Sequence, residues 1–206
     1  IDKIVNYVNQ NLGAYPHTKI TVSQTDYDRN PFYGLNQLPS FISPFPNDLL
    51  FELKFLKTYI NTFLEKSLSL DPRKDNWIYD GIQVYIMMNY MDENYPELKM
   101  MGNISKLKIL KGYHLMDIGF NEQYSYFYLL MARKNLDQAI GDLKDTSLKF
   151  NEQIAGKYRA GLSLKYLDSY LGDSIVSTSI KQFYTKNHKQ QTNRTDFEKE
   201  LKIKTD

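Results

Sequence analysis

Apolar residues recur every three or four positions along most of this chain, the spacing that places side chains on one face of an α-helix. The longest such pattern begins at the capping residues Asn47 and Asp48 and ends before Pro72. Its predicted buried face consists of Leu49, Leu53, Leu56, Ile60, Phe63 and Leu64. A second long helix is predicted from near Asn76 to about Asn94. The sequence therefore predicts two long helices joined by a short turn.

Shorter helical patterns cover much of the remaining sequence. Helices are predicted at residues 1–12, from within 103–116, and at 121–136, 145–156, 157–171, 174–187 and 195–201. Alternating β-branched residues predict a strand at Lys19–Ser23, and the proline-rich loop 26–46 leaves room for an edge strand at Leu38–Ile42. We therefore expect one α+β domain over 1–206, predominantly α-helical, with a strand and loop region at 1–46 and a helical region at 47–206.

Composition restricts the classes of function open to this chain. Among 206 residues, Lys and Arg number 26 and Asp and Glu 24, so the net charge is +2 and no overall field attracts nucleic acid. The absence of cysteine excludes disulfides, thiolate metal sites and a cysteine nucleophile. No apolar run is long enough to span a membrane. Because the sequence starts at Ile1, we expect it to be a piece of a longer protein.

Three polar residues of the two long helices are candidates for a shared site. Lys57 and Asn61 are four positions apart and share a helix face, and Asp80 lies near the start of the second helix. If the helices pack antiparallel, Asp80 can meet both residues, and a buried Lys57 would neutralise its charge. Alternatively, all three are ordinary polar residues at helix rims, because this spacing alone has no catalytic specificity.

The sequence around Asp80 resembles a segment of a known enzyme family. It reads Trp77-Ile78-Tyr79-Asp80-Gly81-Ile82-Gln83-Val84-Tyr85. This is similar to the Trp-Leu-Asn-Glu-Gly-Phe-Ala-x-Tyr stretch of the membrane alanyl aminopeptidases, which are gluzincin zinc peptidases. At the family's spacing, its two histidine ligands fall on Lys57 and Asn61, and its general-base glutamate falls on Thr58. The resemblance covers about residues 15–190 and implies a thermolysin-like catalytic-domain fold.

Two further segments carry the resemblance. Tyr158, within Lys157-Tyr158-Arg159-Ala160-Gly161, matches the tyrosine that stabilises the oxyanion in this family, and Ala160 replaces the family's lysine. Upstream, Asn36 and Gln37 lie where the family has a Gly-Ala-Met-Glu-Asn segment that binds the substrate amine. Gln37 replaces the glutamate of that segment, so the charge that would hold an ammonium group is lost.

The resemblance thus implies a peptidase scaffold whose catalytic groups are replaced. Zinc hydrolysis needs three protein ligands, a bound water and a base. Here Lys57 and Asn61 replace the histidines, Thr58 is no carboxylate base, and Asp80 is one methylene shorter than glutamate. We expect no metal or other cofactor, and a non-catalytic structural or binding module for a peptide or protein, joined to other domains of the same chain. Tyr158, Asp80 and Gln37 would line its cleft.

Two other interpretations stay open. The chain could be an active metallo-aminopeptidase that uses zinc to remove N-terminal residues from peptides, with its ligands elsewhere than the alignment places them. It could instead be an unrelated helical interaction domain, in which case the helix pair around residues 57 and 80 would be absent. The aminopeptidase family occurs in the cytoplasm and at the cell envelope, and we favour the cell envelope or periplasm, although no segment assigns a compartment.

Overall fold

The computed structural model describes residues 1–29, 43–106, 113–172 and 174–202, without the side chains of Arg29 and Leu115. This part of the chain is predominantly helical. The α-helices are α1 (Asp2–Leu12), α2 (Gln24–Arg29), α3 (Asn47–Ser67), α4 (Asn76–Asn94), α5 (Glu122–Ala132), α6 (Gly156–Leu171), α7 (Ile175–Asn187) and α8 (Arg194–Lys202). Short 3₁₀ helices occupy Gly102–Lys106, His114–Met116 and Lys144–Thr146, and a π-helical segment, Asn151–Ala155, leads into α6.

The two long helices predicted from the hydrophobic pattern are confirmed as α3 and α4. All six residues of the predicted face of α3 are buried. The turn between the helices is held by the hydroxyl of Tyr79, which donates to the carbonyl of Leu68 at 2.8 Å and accepts from the N–H of Leu70 at 3.2 Å. Further along α4, the amide of Gln83 reaches Asn61, so the two helices run antiparallel.

The shorter predicted helices are confirmed in most cases. The patterns at 1–12, 157–171, 174–187 and 195–201 correspond to α1, α6, α7 and α8, and the pattern at 121–136 corresponds to α5, which ends at Ala132. Two predicted helical regions differ in type or bounds. The described residues of 103–116 form 3₁₀ helices, and in 145–156 a 3₁₀ turn precedes α-helical residues 149–150, which continue through the π-helical segment into α6.

The strand predicted at Lys19–Ser23 is wrong. Residues 19–23 have no strand structure, and in the described part of the chain β-type pairing is limited to two isolated bridges. A strand requires a neighbour for its N–H and C=O groups. Here the alternation arises because Ile20 and Val22 pack singly against the core. The described part of 1–46 contains α1 and α2 instead, and the predicted edge strand at 38–42 lies outside the described residues.

Helices α4 and α6 pack closely because small residues lie at their contact. A Cβ atom added to Gly161 of α6 would overlap the side chain of Val84 on α4. A Cβ atom added to Gly81 of α4 would lie 3.2 Å from the Cβ of Ala160. Glycine has no side chain, so the two backbones can approach at this point. Asp80, which precedes Gly81, is thereby brought beside the first turn of α6.

One hydrophobic core connects helices from both ends of the described chain. It includes Val8 of α1, Phe63 of α3, Phe183 of α7 and Phe197 of α8, all fully buried. Trp77 at the start of α4 packs edge-on against Phe197, with ring centroids 5.9 Å apart. Among the helices of the described residues, none combines the length and apolarity needed to cross a membrane.

Candidate functional site

A polar cluster lies where α3, α4 and α6 meet. It consists of Lys57, Asn61, Asp80, Gln83 and Lys157. Asp80 is nearly buried, with 8% of its side chain exposed, and its Oδ1 lies 2.8 Å from the ammonium of Lys157. Its Oδ2 accepts a hydrogen bond of 2.7 Å from the amide of Asn76, one helical turn earlier. Both carboxylate oxygens therefore have a close donor, and these contacts offset the desolvation penalty of the buried charge.

Gln83 of α4 binds two of the candidate residues of α3, Lys57 and Asn61. Its Nε2 donates to the backbone carbonyl of Lys57 and to the side-chain oxygen of Asn61, each at 2.9 Å. Lys57 and Asn61 thus contact α4 through Gln83, three residues beyond Asp80. However, the ammonium in contact with Asp80 belongs to Lys157, while Lys57 interacts with Asp80 as a neighbouring charge.

The pKa values of the basic residues follow from this arrangement. Burial and, to a lesser extent, the positive charge of Lys157 lower the pKa of Lys57 to about 8, although the negative charge of Asp80 partly opposes them. Burial would also lower the pKa of Lys157, but the charge and hydrogen bond of Asp80 outweigh it and raise the pKa above the ordinary lysine value. Lys157 therefore stays charged and holds Asp80, while Lys57 is the cation that the fold disfavours.

The pKa of Glu65, one turn beyond Asn61 on α3, is raised. Burial is the main cause, and the negative charge of Asp80 adds to it, while Lys157 and Lys66 oppose the shift. The charges of Asp80 on α4 and Lys157 on α6 thus act on the pKa values of two groups of α3, Lys57 and Glu65.

The polar cluster opens into a cleft, which we call the polar cleft. It lies between residues 73–80 on one wall and residues 138–157 on the other, and its cavity volume is about 60 Å³. Asp80 and Lys157 line it together with Trp77, Glu152 and charged residues nearer the rim. A concave surface with a few convergent polar groups is the usual form of a ligand site.

The second wall of the cleft is shaped by the π-helical segment. The side-chain amide of Asn151 donates to the carbonyl of Leu136 at 2.7 Å and to Oε1 of Gln138 at 2.8 Å, which ties the segment to the preceding loop. The two walls are joined where the N–H of Lys144 donates to the carbonyl of Arg73 at 3.0 Å. π-helical segments are rare in proteins, and those that occur are often found at functional sites. The segment therefore supports a functional role for the cleft.

The residues at the family's zinc positions do not fit a zinc ion. A charged lysine is no ligand, and the carboxylate of Asp80 is already bound by Lys157 and Asn76. Thr58 is buried, and its hydroxyl donates to the carbonyl of Lys54 within α3 at 2.8 Å. Within the ranges the structure describes, no three His, Cys, Asp or Glu residues group so that they could hold a metal ion.

Tyr158 does not line the polar cleft next to Asp80 as the resemblance implied. The residue is buried. Its ring packs edge-on against Tyr124 of α5 at a centroid distance of 4.8 Å and in a tilted arrangement against Phe127 at 6.1 Å. Adjacent positions of a helix point about 100° apart, so Lys157 faces α4 while Tyr158 faces α5. The other predicted cleft residues, Asn36 and Gln37, lie outside the described residues.

Sequence reasoning missed the two donors that bind Asp80. Asn76 lies four residues before Asp80 on the same helix, so the i, i+4 rule could have identified it. Lys157 stands directly before Tyr158 in a segment that the resemblance already selected, but its contact with Asp80 depends on how α6 packs against α4.

Comparisons of this chain with protein-family models, with curated proteins and with solved structures found no match.

Proposed function

We propose that this chain is a non-catalytic relative of the gluzincin aminopeptidases, with a thermolysin-like helix arrangement, and that its polar cleft binds a peptide segment. The observation that carries the proposal is the pairing of Asp80 with Lys157 at 2.8 Å. In this reading, an ammonium neutralises the carboxylate that a zinc ion would otherwise bind. The fold then keeps the enclosed polar cluster without needing a metal.

The form of the cleft supports a peptide as the ligand. Its walls offer charged groups of both signs, side-chain amides and an indole ring, which match the backbone amides and mixed side chains of a peptide. The backbone hydrogen bond from Lys144 to Arg73 holds the two walls together.

The absence of metal chemistry is tested by zinc content and hydrolysis together. The protein is soaked in zinc, desalted, and measured by inductively coupled plasma mass spectrometry, and its activity on aminoacyl p-nitroanilides is recorded. We expect no stoichiometric zinc and no hydrolysis above the buffer rate. One tightly held zinc per chain with hydrolysis would overturn the proposal in favour of an active metallo-aminopeptidase.

Peptide binding is tested through the single tryptophan of the chain. Because Trp77 lines the polar cleft and is the only tryptophan, its fluorescence responds to a ligand bound there. A library of short unstructured peptides should contain members that change the emission saturably. Ala139→Phe, which fills the cleft, should abolish the change, and Ala14→Phe, at an exposed alanine outside the cleft, should not. If no peptide alters the emission, the binding proposal fails.

A further inference from the structure

We propose that helix α5 is a self-association surface, on which its exposed face pairs antiparallel with the same face of a second copy of this chain. The inference is independent of the proposed peptide binding, because no residue of α5 lines the polar cleft. It follows from which side chains of α5 the fold leaves exposed and from the charges at the two ends of that face.

The exposed face of α5 is apolar along its middle. Tyr126, Leu129 and Leu130 are 45%, 38% and 49% exposed. With the exposed residues Glu122 and Arg133 they occupy positions i, i+4, i+7, i+8 and i+11, which lie on one side of an α-helix. Arg133 follows the last residue of α5 with helical backbone angles, so it continues this side. We call these five residues the α5 face.

The opposite side of α5 is already covered by the fold. Tyr124 is fully buried and packs edge-on against Tyr158 of α6, and Phe127 contacts the same ring. A helix that carries apolar side chains on both sides is normally buried on both sides. Contiguous apolar side chains left at a protein surface mark a site of interaction. The α5 face therefore fits a partner with an apolar surface of its own.

The charges at the ends of the α5 face select a second copy as that partner. Glu122 stands at one end and Arg133 at the other, roughly 16 Å further along the helix axis. In an antiparallel pair related by a two-fold axis, Glu122 of each copy faces Arg133 of the other. The same register places Tyr126 opposite Leu129, so apolar groups meet between the two charge pairs.

Both end charges are available for such a contact. Neither Glu122 nor Arg133 forms an ion pair with a residue in the ranges that the structure describes. A parallel pair would instead set Glu122 against Glu122 and Arg133 against Arg133, and this repulsion disfavours it. The α5 face is thus complementary to itself in the antiparallel orientation.

The size of the α5 face sets the expected strength of the dimer. An α-helix of 11 residues offers a strip roughly 16 Å long and 10 Å wide, which is small beside the roughly 800 Å² per partner of a standard interface. We therefore expect a weak dimer, with a dissociation constant on the order of 10–100 µM.

Sedimentation equilibrium of the unaltered protein, from about 5 µM to about 1 mM, is the first test. The average mass should rise from one chain toward two and no further, because two-fold pairing occupies the face in both copies. Tyr126→Glu should weaken the association at least roughly tenfold, since it places two carboxylates near the axis. Tyr166→Glu, at an exposed tyrosine of α6, is the matched control and should change nothing. A parent protein that stays monomeric, or equal effects of the two variants, would overturn the inference and assign the face to a different partner.

Charge reversal tests the antiparallel orientation. Glu122→Arg and Arg133→Glu each create like-charged contacts, twice in a symmetric dimer, so each should weaken self-association by roughly tenfold. Placing both changes in one chain restores opposite charges at every contact of an antiparallel pair, and the double variant should associate as tightly as the parent. An equimolar mixture of the two single variants should do the same. Circular dichroism verifies that every variant is folded. A double variant that associates no more tightly than the single variants would rule out the antiparallel pairing.

Discussion

The ion pair between Asp80 and Lys157 is the residue contact on which the polar cluster most depends. Lys157→Met would leave the Asp80 carboxylate nearly buried without its ammonium. Removing one partner of a buried pair typically costs 3–5 kcal/mol. Here 30% of the Lys157 side chain is exposed, and Lys57 remains nearby, so we expect the free energy of unfolding to fall by about 2 kcal/mol. Urea denaturation at pH 7 measures the loss.

A double-mutant cycle separates the pair from simple loss of packing. If the penalty arises from the stranded charge, Asp80→Asn in the Lys157→Met background should restore a large part of the lost stability. The same Asp80→Asn change alone should be destabilising, because it leaves Lys157 without its carboxylate. Strictly additive effects of the two changes would show that the pair has no interaction energy.

Lys57 should behave in the opposite way, because the fold disfavours its charge. The unfolded residue titrates near 10.5 and the folded one near 8, so at neutral pH a protonated Lys57 destabilises the folded state. We expect Lys57→Met to raise the free energy of unfolding by about 1–2 kcal/mol at pH 7, after discounting for partial solvent access. Chemical denaturation of both proteins measures the difference.

The increase in the free energy of unfolding caused by Lys57→Met should become smaller as the pH rises. Between pH 8 and 10.5 the unfolded state binds more protons than the folded state at this residue, so the penalty in the parent protein decreases as pH rises. The difference between variant and parent should therefore be largest below pH 8 and shrink toward pH 10.5. Lys66→Met, at an exposed position of the same helix, should show no such trend. A gain that stays constant with pH would refute the assigned pKa shift.

The close packing of α4 on α6 should tolerate added volume poorly. Gly161→Ala would place a methyl group on the side chain of Val84, and overpacking of this kind costs typically 1–3 kcal/mol. Gly81→Ala lies in the same helix interface, but its new atom would meet Ala160 at 3.2 Å and adds helix propensity. We expect Gly161→Ala to lower the melting temperature clearly and Gly81→Ala to have a small effect. Similar melting temperatures for the two variants would contradict this packing.

The sequence predicted single elements better than the contacts between them. The spacing of apolar residues every three or four positions and the proline between the two patterns were sufficient to predict α3 and α4, because both signals are local in sequence. The strand at 19–23 failed because alternation shows only that residues face a core, whereas a strand also requires a partner. In the candidate site, the meeting of Lys57 and Asn61 with α4 followed from the short turn between the helices. The contact of Lys157 with Asp80 was not predictable, because it depends on glycines that carry no periodic signal.

For the molecule as a whole, the site and the core are built from the same helices. α4 contributes Asp80 to the polar cluster and Trp77 to the cleft wall, and the ring of Trp77 also packs against Phe197 of α8. α3 contributes Lys57 on one face and Phe63 on the face that contacts Tyr184 of α7. Opening the cleft therefore disturbs packing that extends to the last helix, and we expect ligand binding to raise the stability of the whole chain.

This continuity predicts that the chain unfolds as one cooperative unit. The buried core extends from α1 to α8, so no group of helices has a separate interior that could persist alone. The urea transition followed by Trp77 fluorescence, which reports on α4 and α8, should coincide with that followed by far-ultraviolet circular dichroism, which reports on all helices. Phe197→Ala removes a fully buried ring and should shift both curves together, by about 3–5 kcal/mol of unfolding free energy. If the fluorescence curve alone moved, α8 would be an appendage, and the chain would contain more than one folding unit.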